Sequence, residues 1–312
     1  MKKMLITGAA GFIGANLVRH FMDSFEVHAL VRDETDTWRI DDVRDRIILH
    51  TVDITDAEKL KSVVGKIRPE YIIHTAVYGS YPTQKDTSKI VNVIVHGTIN
   101  LIEACKQHPF ICFVNTGTNA EYGKKSAPMR EDDPLEPNTD YGIFKAAMTL
   151  YCQKVAREEH LPITTLRLIS AYGPYEEQGR LFTDIMTAYA SDHAPKLSSP
   201  KSVRGFTYIE DICEAFAIAL QQPDKTAGEI FNVSAGEEYS IEDAVKETRK
   251  HFPMSKYPEY GVIEARSPET MSWVADNKKF CTSTGWRPKH TFAEGIRKTA
   301  LWYKENAKRG NS

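Results

Sequence analysis

The stretch Met4-Leu5-Ile6-Thr7-Gly8-Ala9-Ala10-Gly11-Phe12-Ile13-Gly14 reads as a short apolar strand, a glycine-rich turn and the opening of a helix. Glycines spaced three apart let the backbone turn tightly and approach a pyrophosphate, whose charge the free N–H groups of a helix N-terminus stabilise. A glycine triplet by itself fits any tight strand–helix connection. Its place directly behind the first strand favours a dinucleotide site, with Gly8, Gly11, Phe12, Ile13 and Gly14 as the cofactor-binding turn.

Outward from this turn, the first two-thirds of the chain alternates short apolar runs with longer amphipathic stretches, the pattern of a parallel sheet covered on both faces. Strands are expected at Met4–Thr7, Val27–Val31, Ile47–Thr51, Tyr71–Thr75, Ile111–Asn115 and Thr164–Leu168. Helices are expected over Phe12–Phe21, Ala57–Ile67, Ser88–Lys106 and Tyr141–Glu159. Behind Tyr172-Gly173-Pro174 the regularity weakens: short helices are expected over Leu181–Ser191, Ile209–Gln221, Ile241–Lys250 and Phe292–Asn306, a short strand at Glu229–Val233, and Ala194–Ser202 reads as a loop. The expected class is α/β: a Rossmann-type doubly wound parallel sheet over residues 1–174, then a smaller mixed α/β substrate domain over 175–312. Some segments of the second part are expected to return to the first.

Composition narrows the partners. Lys and Arg total 40 and Asp and Glu 42, a formal charge of −2 that gives no whole-chain reason to bind nucleic acid or an anionic membrane. No run of eighteen uncharged apolar residues occurs, so no membrane span is expected. The first residues do not read as a signal peptide, because Gly8, Gly11 and Gly14 interrupt the apolar run and Arg19 follows; a cytoplasmic protein is expected. The five cysteines are scattered and never spaced Cys-x-x-Cys, which argues against a disulfide scaffold, a zinc site or a redox pair, and no metal is expected.

The second strand ends Ala29-Leu30-Val31-Arg32-Asp33. An acidic residue there bonds the ribose hydroxyls of NAD, whereas a cation accommodates the 2′-phosphate of NADP. Arg32 favours NADP, and Asp33, one residue on, keeps NAD open. Farther along, Tyr141-Gly142-Ile143-Phe144-Lys145 places a phenol and an ammonium one helical turn apart on one face. Tyrosine ionises near pH 10, so acid–base work at neutral pH needs a positive charge beside it, which Lys145 is expected to supply. Alone the pair is a common surface motif; behind a nucleotide turn and a fifth strand it points to catalysis.

These motifs, in this order, resemble the extended short-chain dehydrogenase/reductase family in its nucleotide-sugar branch, whose first turn is Thr-Gly-x-x-Gly-Phe-Ile-Gly. The resemblance implies that Asp53 and Ile54 flank an adenine. It aligns Phe113–Gly123 with the family's Ser-Ser-x-x-x-Tyr-Gly loop, making Thr118 the catalytic hydroxyl with Thr116 as runner-up, beside Tyr141 and Lys145, which the resemblance also makes cofactor contacts, Lys145 at the nicotinamide ribose. Family members that dehydrate the sugar carry Thr-Asp-Glu-x-Tyr-Gly. Here those two acids are Asn119 and Ala120, and Glu121 is one position out of register, so a 4,6-dehydratase is disfavoured. Leu166–Pro174 is similar to Leu-Arg-x-x-Asn-x-Tyr-Gly-Pro, with Ser170 in place of the Asn that contacts the sugar diphosphate. Arg204 and Arg266 fall where the family binds that diphosphate.

Within the resemblance, the sequence leans to an NADPH-dependent 4-ketoreductase acting on a nucleotide-linked 4-keto-6-deoxy sugar, similar to the CDP-paratose and CDP-abequose synthases. An NAD-dependent 4-epimerase is the alternative, and a non-catalytic dinucleotide sensor is disfavoured by the intact Thr118, Tyr141 and Lys145. Many relatives pair through helices equivalent to Ser88–Lys106 and Tyr141–Glu159, so a homodimer is implied.

Overall fold

Alternation along strand β1 (Lys3–Thr7) sets up two faces. Met4 and Ile6 enter one apolar cluster and Leu5 another, because successive side chains of a strand point in opposite directions. The computed structural model describes residues 1–81, 83–253, 256–263 and 272–306. Beside β1 stand β2 (Glu26–Val31), β3 (Ile48–Thr51), β4 (Tyr71–His74), β5 (Cys112–Thr118) and β6 (Ile163–Leu168). The two-residue strands β7 (Ala171–Tyr172), β8 (Lys196–Leu197), β9 (Val203–Arg204) and β10 (Thr207–Tyr208) precede β11 (Ile230–Val233). The main sheet has the order β11-β6-β5-β4-β1-β2-β3, all parallel.

Helices cover both faces, as a parallel sheet requires. On one side α1 (Phe12–Phe21) contributes Ala15, Leu17 and Val18 to the core. On the other, α2 (Ala57–Ile67) and α5 (Asp140–Glu158) bury Leu60, Val64, Cys152 and Val155. Between α2 and α5 the expected single helix is three pieces, α3 (Thr87–Val91), a π-helical turn at Asn92–His96, and α4 (Gly97–Cys105). The interruption brings Val93 to the wall of the central cavity, in keeping with the tendency of π-turns to lie at functional sites.

Beyond residue 174 the chain runs through α6 (Leu181–Ala190), α7 (Ile209–Gln221), α8 (Pro223–Thr226), β12 (Tyr239–Ser240), α9 (Ile241–Arg249), β13 (Glu259–Tyr260), β14 (Ser272–Trp273), α10 (Lys278–Thr284) and α11 (Phe292–Asn306). The sheet takes β11 from this part, and α7 buries Ile212 and Phe216 in the same cluster as α1. The presumed loop at Ala194–Ser202 holds β8, which pairs in parallel with β13; a two-residue strand carries no periodicity to read. Strand β5 also runs three residues past its expected end at Asn115, so Thr118 closes the strand instead of sitting in a loop behind it. All five cysteines are buried and unbridged.

Candidate active site

The glycine turn opens onto a cavity of about 570 Å³. Helix α1 begins at Gly11 with no side-chain cap and no acidic residue in its first turn, so its free N–H groups face an anion without a competitor. Closeness here is enforced: a Cβ on Gly14 would lie 2.1 Å from the Gly8 carbonyl oxygen. The end of β1 is bolted to β4 through His74, whose Nδ1 lies 2.7 Å from Thr7 Oγ1 and Nε2 2.9 Å from Thr98 Oγ1. Since the Thr98 hydroxyl donates to the Ile94 carbonyl, the imidazole donates from Nε2 and accepts at Nδ1. Burial, helped by the Lys145 charge, lowers its pKa to about 3, which keeps it neutral. His74 is a structural bolt.

Gly8, Gly11, Phe12, Ile13 and Gly14 line the cavity at one end. Arg32, Asp53 and Ile54 line it along the ends of β2 and β3. Asp53 Oδ1 accepts from the Thr55 amide and hydroxyl, both at 2.8 Å, which fixes the carboxylate. The groove thus offers an uncapped helix end for a diphosphate and a walled slot beyond it for a nucleoside, and a dinucleotide fits the residues present.

Thr118, Tyr141, Lys145 and Ser170 line the other end of the same cavity. Thr118 is extended (φ −152°) and caps a single 3₁₀ turn at Asn119–Glu121, its hydroxyl accepting the Ala120 N–H at 3.3 Å. Tyr141 lies in the first turn of α5, which Thr139 caps by accepting the Gly142 N–H at 3.1 Å. Burial pushes the Tyr141 phenol up to about 12, against the pull of a hydrogen bond with Thr118 and of the Arg180 charge. Burial thus outweighs the lowering expected of Lys145. Lys145 is buried beneath β5, donates from Nζ to the Thr116 carbonyl, and is itself pulled down by desolvation. Ser170 adopts φ +41°, a left-handed conformation that suits the asparagine it stands for better than serine.

Arg204 does not line this cavity. It lies on β9, paired with β12 and β14, and donates to the Val203 carbonyl at 2.8 Å. Burial lowers its pKa to about 10, and among the described residues no carboxylate pairs with it. Arg266 lies outside the described residues. Glu121 turns away from the cavity into a fully buried ion pair with Arg167 at 2.7 Å, so it is no displaced acid–base residue.

Sequence reading missed the segment after Tyr172-Gly173-Pro174. Arg180 lines the cavity, donates from Nη2 to the Ser80 carbonyl at 3.0 Å and stacks 4.6 Å from the Tyr81 ring. Arg39 ties the same segment down, Nε donating to the Tyr175 carbonyl at 2.8 Å and Nη2 to Glu177 at 2.7 Å. The available signal was the charged run Glu176-Glu177-Gln178-Gly179-Arg180 directly behind a recognisable motif.

A profile of the NAD dependent epimerase/dehydratase family matches residues 4–234. The dTDP-glucose 4,6-dehydratase of Neisseria meningitidis serogroup B is 26% identical, with 98% of this chain and 94% of that protein covered. Two solved structures share the fold. The UDP-glucose 4-epimerase of Thermotoga maritima with UDP-glucose superposes with a TM-score of 0.90 at 23% identity, covering 98% of this chain and 99% of the other. The UDP-glucose 4-epimerase of Thermus thermophilus in complex with NAD gives 0.85 at 26% identity, covering 99% and 100%. With the glycine turn, the Thr118–Tyr141–Lys145 set and a fold matched along almost the whole chain, this protein belongs to the NAD dependent epimerase/dehydratase family and is an enzyme that works with a nicotinamide dinucleotide.

Proposed function

We propose that the chain is an NADPH-dependent reductase of a nucleotide-linked 4-keto-6-deoxy sugar, adding hydride to C4 while Tyr141 protonates the oxygen. The observation that carries this reading is a complete Thr118, Tyr141 and Lys145 set in one cavity with Asn119 and Ala120 where a dehydratase needs an acid and a base. An amide has no group that titrates near neutral pH and alanine has no polar side-chain atom, so neither serves as acid or base. When bound, the dinucleotide supplies the hydride. The chain holds the carbonyl oxygen between the Thr118 hydroxyl and the Tyr141 phenol, and the phenolic proton passes to that oxygen as its charge develops. NADPH consumption with a nucleotide-linked 4-keto sugar, and none with the 4-hydroxy sugar, is the expected result; no oxidation of NADPH by the keto sugar contradicts it.

The cofactor choice rests on the end of β2. Its last residue, Val31, lines the cavity and has no group to accept from ribose hydroxyls. Arg32 follows, 3.2 Å from Glu34 and partly exposed, a cation available to a 2′-phosphate. Arg32→Ala is expected to cost NADPH binding about 1.5–3 kcal/mol, the scale of a hydrogen bond to a charged group, and to leave NADH binding nearly unchanged. Calorimetry checks this, and equal affinity for both cofactors in the unaltered protein rules it out.

Arg204, a desolvated guanidinium without a carboxylate partner among the described residues, is read as a contact for the substrate diphosphate, as is Arg266 by its sequence context. A contact remote from C4 serves ground and transition states alike, so Arg204→Ala is expected to raise KM more than it lowers kcat. An unchanged KM for a nucleotide sugar removes Arg204 from the site.

The two UDP-glucose 4-epimerases among the fold relatives favour a second reading, an NAD-dependent 4-epimerase. Mass spectrometry of nucleotide carried by the purified protein separates the readings: retained NAD supports the epimerase, and an empty site with NADPH-dependent turnover supports the reductase. We also read α5 as a homodimer face. Ile143, Ala147 and Leu150 follow one another along an exposed stripe, Ile143 at 45% and Leu150 at 51% exposure. Light scattering is expected to give twice the chain mass, and a monomer for Leu150→Asp. A cytoplasmic location, which the five unbridged cysteines support, is checked by cell fractionation.

A further inference from the structure

Beneath the catalytic loop lies a buried ionic assembly that the proposed reaction does not itself consume. The side chains of Arg167 and Glu121 are 1% and 0% exposed, and Arg167 Nε donates to Glu121 Oε2 at 2.7 Å. The other carboxylate oxygen accepts the Thr118 backbone N–H at 2.8 Å and the Thr149 hydroxyl of α5 at 3.0 Å. Arg167 Nη1 donates to the Tyr122 hydroxyl at 2.8 Å, and that hydroxyl donates to Asn232 Oδ1 at 2.7 Å. Gly117 makes the room: a Cβ there would lie 2.8 Å from both Arg167 Cγ and Glu121 Oε1. Strands β5, β6 and β11 and helix α5 therefore meet at one carboxylate–guanidinium pair.

For stability alone such a pair is a poor device, since apolar side chains of similar volume serve as well or better. Apolar side chains cannot accept the Thr118 N–H, and they cannot place a negative charge near Lys145. We propose that Glu121, held by Arg167, is a positioning residue: it fixes the Thr118 backbone so that the hydroxyl faces Tyr141, and through Thr149 it sets its negative charge against the α5 face that carries Tyr141 and Lys145. The inference rests on the Thr118–Tyr141–Lys145 reading of the site.

The groups acting on the two titrating side chains are few. Tyr141 is pushed up by burial, Glu121 and Tyr81 and drawn down by Thr118 and Arg180. Lys145 is drawn down by burial, with Glu121 and Cys152 opposing, while His74 on β4 stays neutral. Removing the Glu121 charge lowers both pKa values. Reduction needs Tyr141 protonated, so the lowered Tyr141 pKa moves the alkaline limb of the pH–rate profile to lower pH.

Two variants test this. Glu121→Gln keeps an oxygen for the Thr118 N–H but removes the charge. Glu121→Val combined with Arg167→Leu removes the pair without stranding either partner, which guards against a variant that fails to fold. In the double variant kcat is expected to fall at least about tenfold with KM changed less than about twofold, the sign of a contact realised only in the transition state. In Glu121→Gln the alkaline limb moves to lower pH, and Glu121→Asp, which keeps the charge, restores it. Tyr141 ionisation is read without substrate as the phenolate absorbance difference between each variant and its Tyr141→Phe counterpart. A downward shift of that titration in protein that turns over no nucleotide sugar supports the inference and overturns the proposed reaction. A folded double variant with unaltered kcat, or an unmoved Tyr141 titration in Glu121→Gln, overturns the inference.

Discussion

Tyr141→Phe is expected to lower turnover by about 10²–10⁴-fold, the usual contribution of general acid–base catalysis. The substitution removes the transferable proton and keeps the ring. With the ring in place, cofactor affinity is expected to stay near that of the unaltered protein. Burial holds the phenol up to about 12, so across the neutral range it carries its proton, the state a donor in a reduction requires. Reductive activity is therefore expected to be flat through neutrality and to fall only as pH rises into the alkaline range, where Tyr141 loses its proton. Retention of more than about a tenth of turnover, a barrier change under 1.4 kcal/mol, contradicts the assignment.

The largest stability effect is expected from Arg167→Leu. The guanidinium and the Glu121 carboxylate are both fully buried, so removing one partner strands the other charge in a dry interior, a loss of about 3–5 kcal/mol. The sign of the pH dependence follows. A stranded carboxylate has a folded-state pKa raised above its unfolded value, so its penalty applies when it is ionised and shrinks as the pH falls and the group is protonated. Urea unfolding is expected to show a lower midpoint for Arg167→Leu at neutral pH, a smaller deficit at acidic pH, and near-native stability when Glu121→Val is added. A single variant as stable as the unaltered protein means that the pair is not desolvated.

The strands of the first half were legible because apolar runs such as Met4–Thr7 and Tyr71–His74 are buried on both faces and stand out from amphipathic helices. The glycine turn and the Tyr141–Lys145 spacing were legible because they are local: one backbone turn, one helical turn. What the sequence hid depends on contacts between distant segments. Nothing in Glu121-Tyr122-Gly123 announces that the carboxylate turns inward to meet Arg167, 46 positions on. The strand expected at Glu229–Val233 is present as Ile230–Val233, but nothing in so short a run says that its partner is β6. Arg180 lines the cavity in a segment tied down by Arg39 and Ser80, and the burial that lifts the Tyr141 pKa beside Lys145 arises only when the chain folds.

One measurement tests the central claim, that this cavity moves a hydride from NADPH to C4 of a nucleotide-linked 4-keto-6-deoxy sugar. The purified protein is incubated with such a sugar and NADPH deuterated at the nicotinamide C4, and the product is read by NMR and mass spectrometry. One deuterium at the sugar C4 is expected for each NADP⁺ formed, at a rate lower by about 10²–10⁴-fold when Tyr141 is phenylalanine. No deuterium gain and no NADPH oxidation with the keto sugar, together with interconversion of C4 epimers when the matching 4-hydroxy nucleotide sugar is supplied without added NADPH, would show that hydride shuttles on a resident cofactor and would contradict the reductase reading.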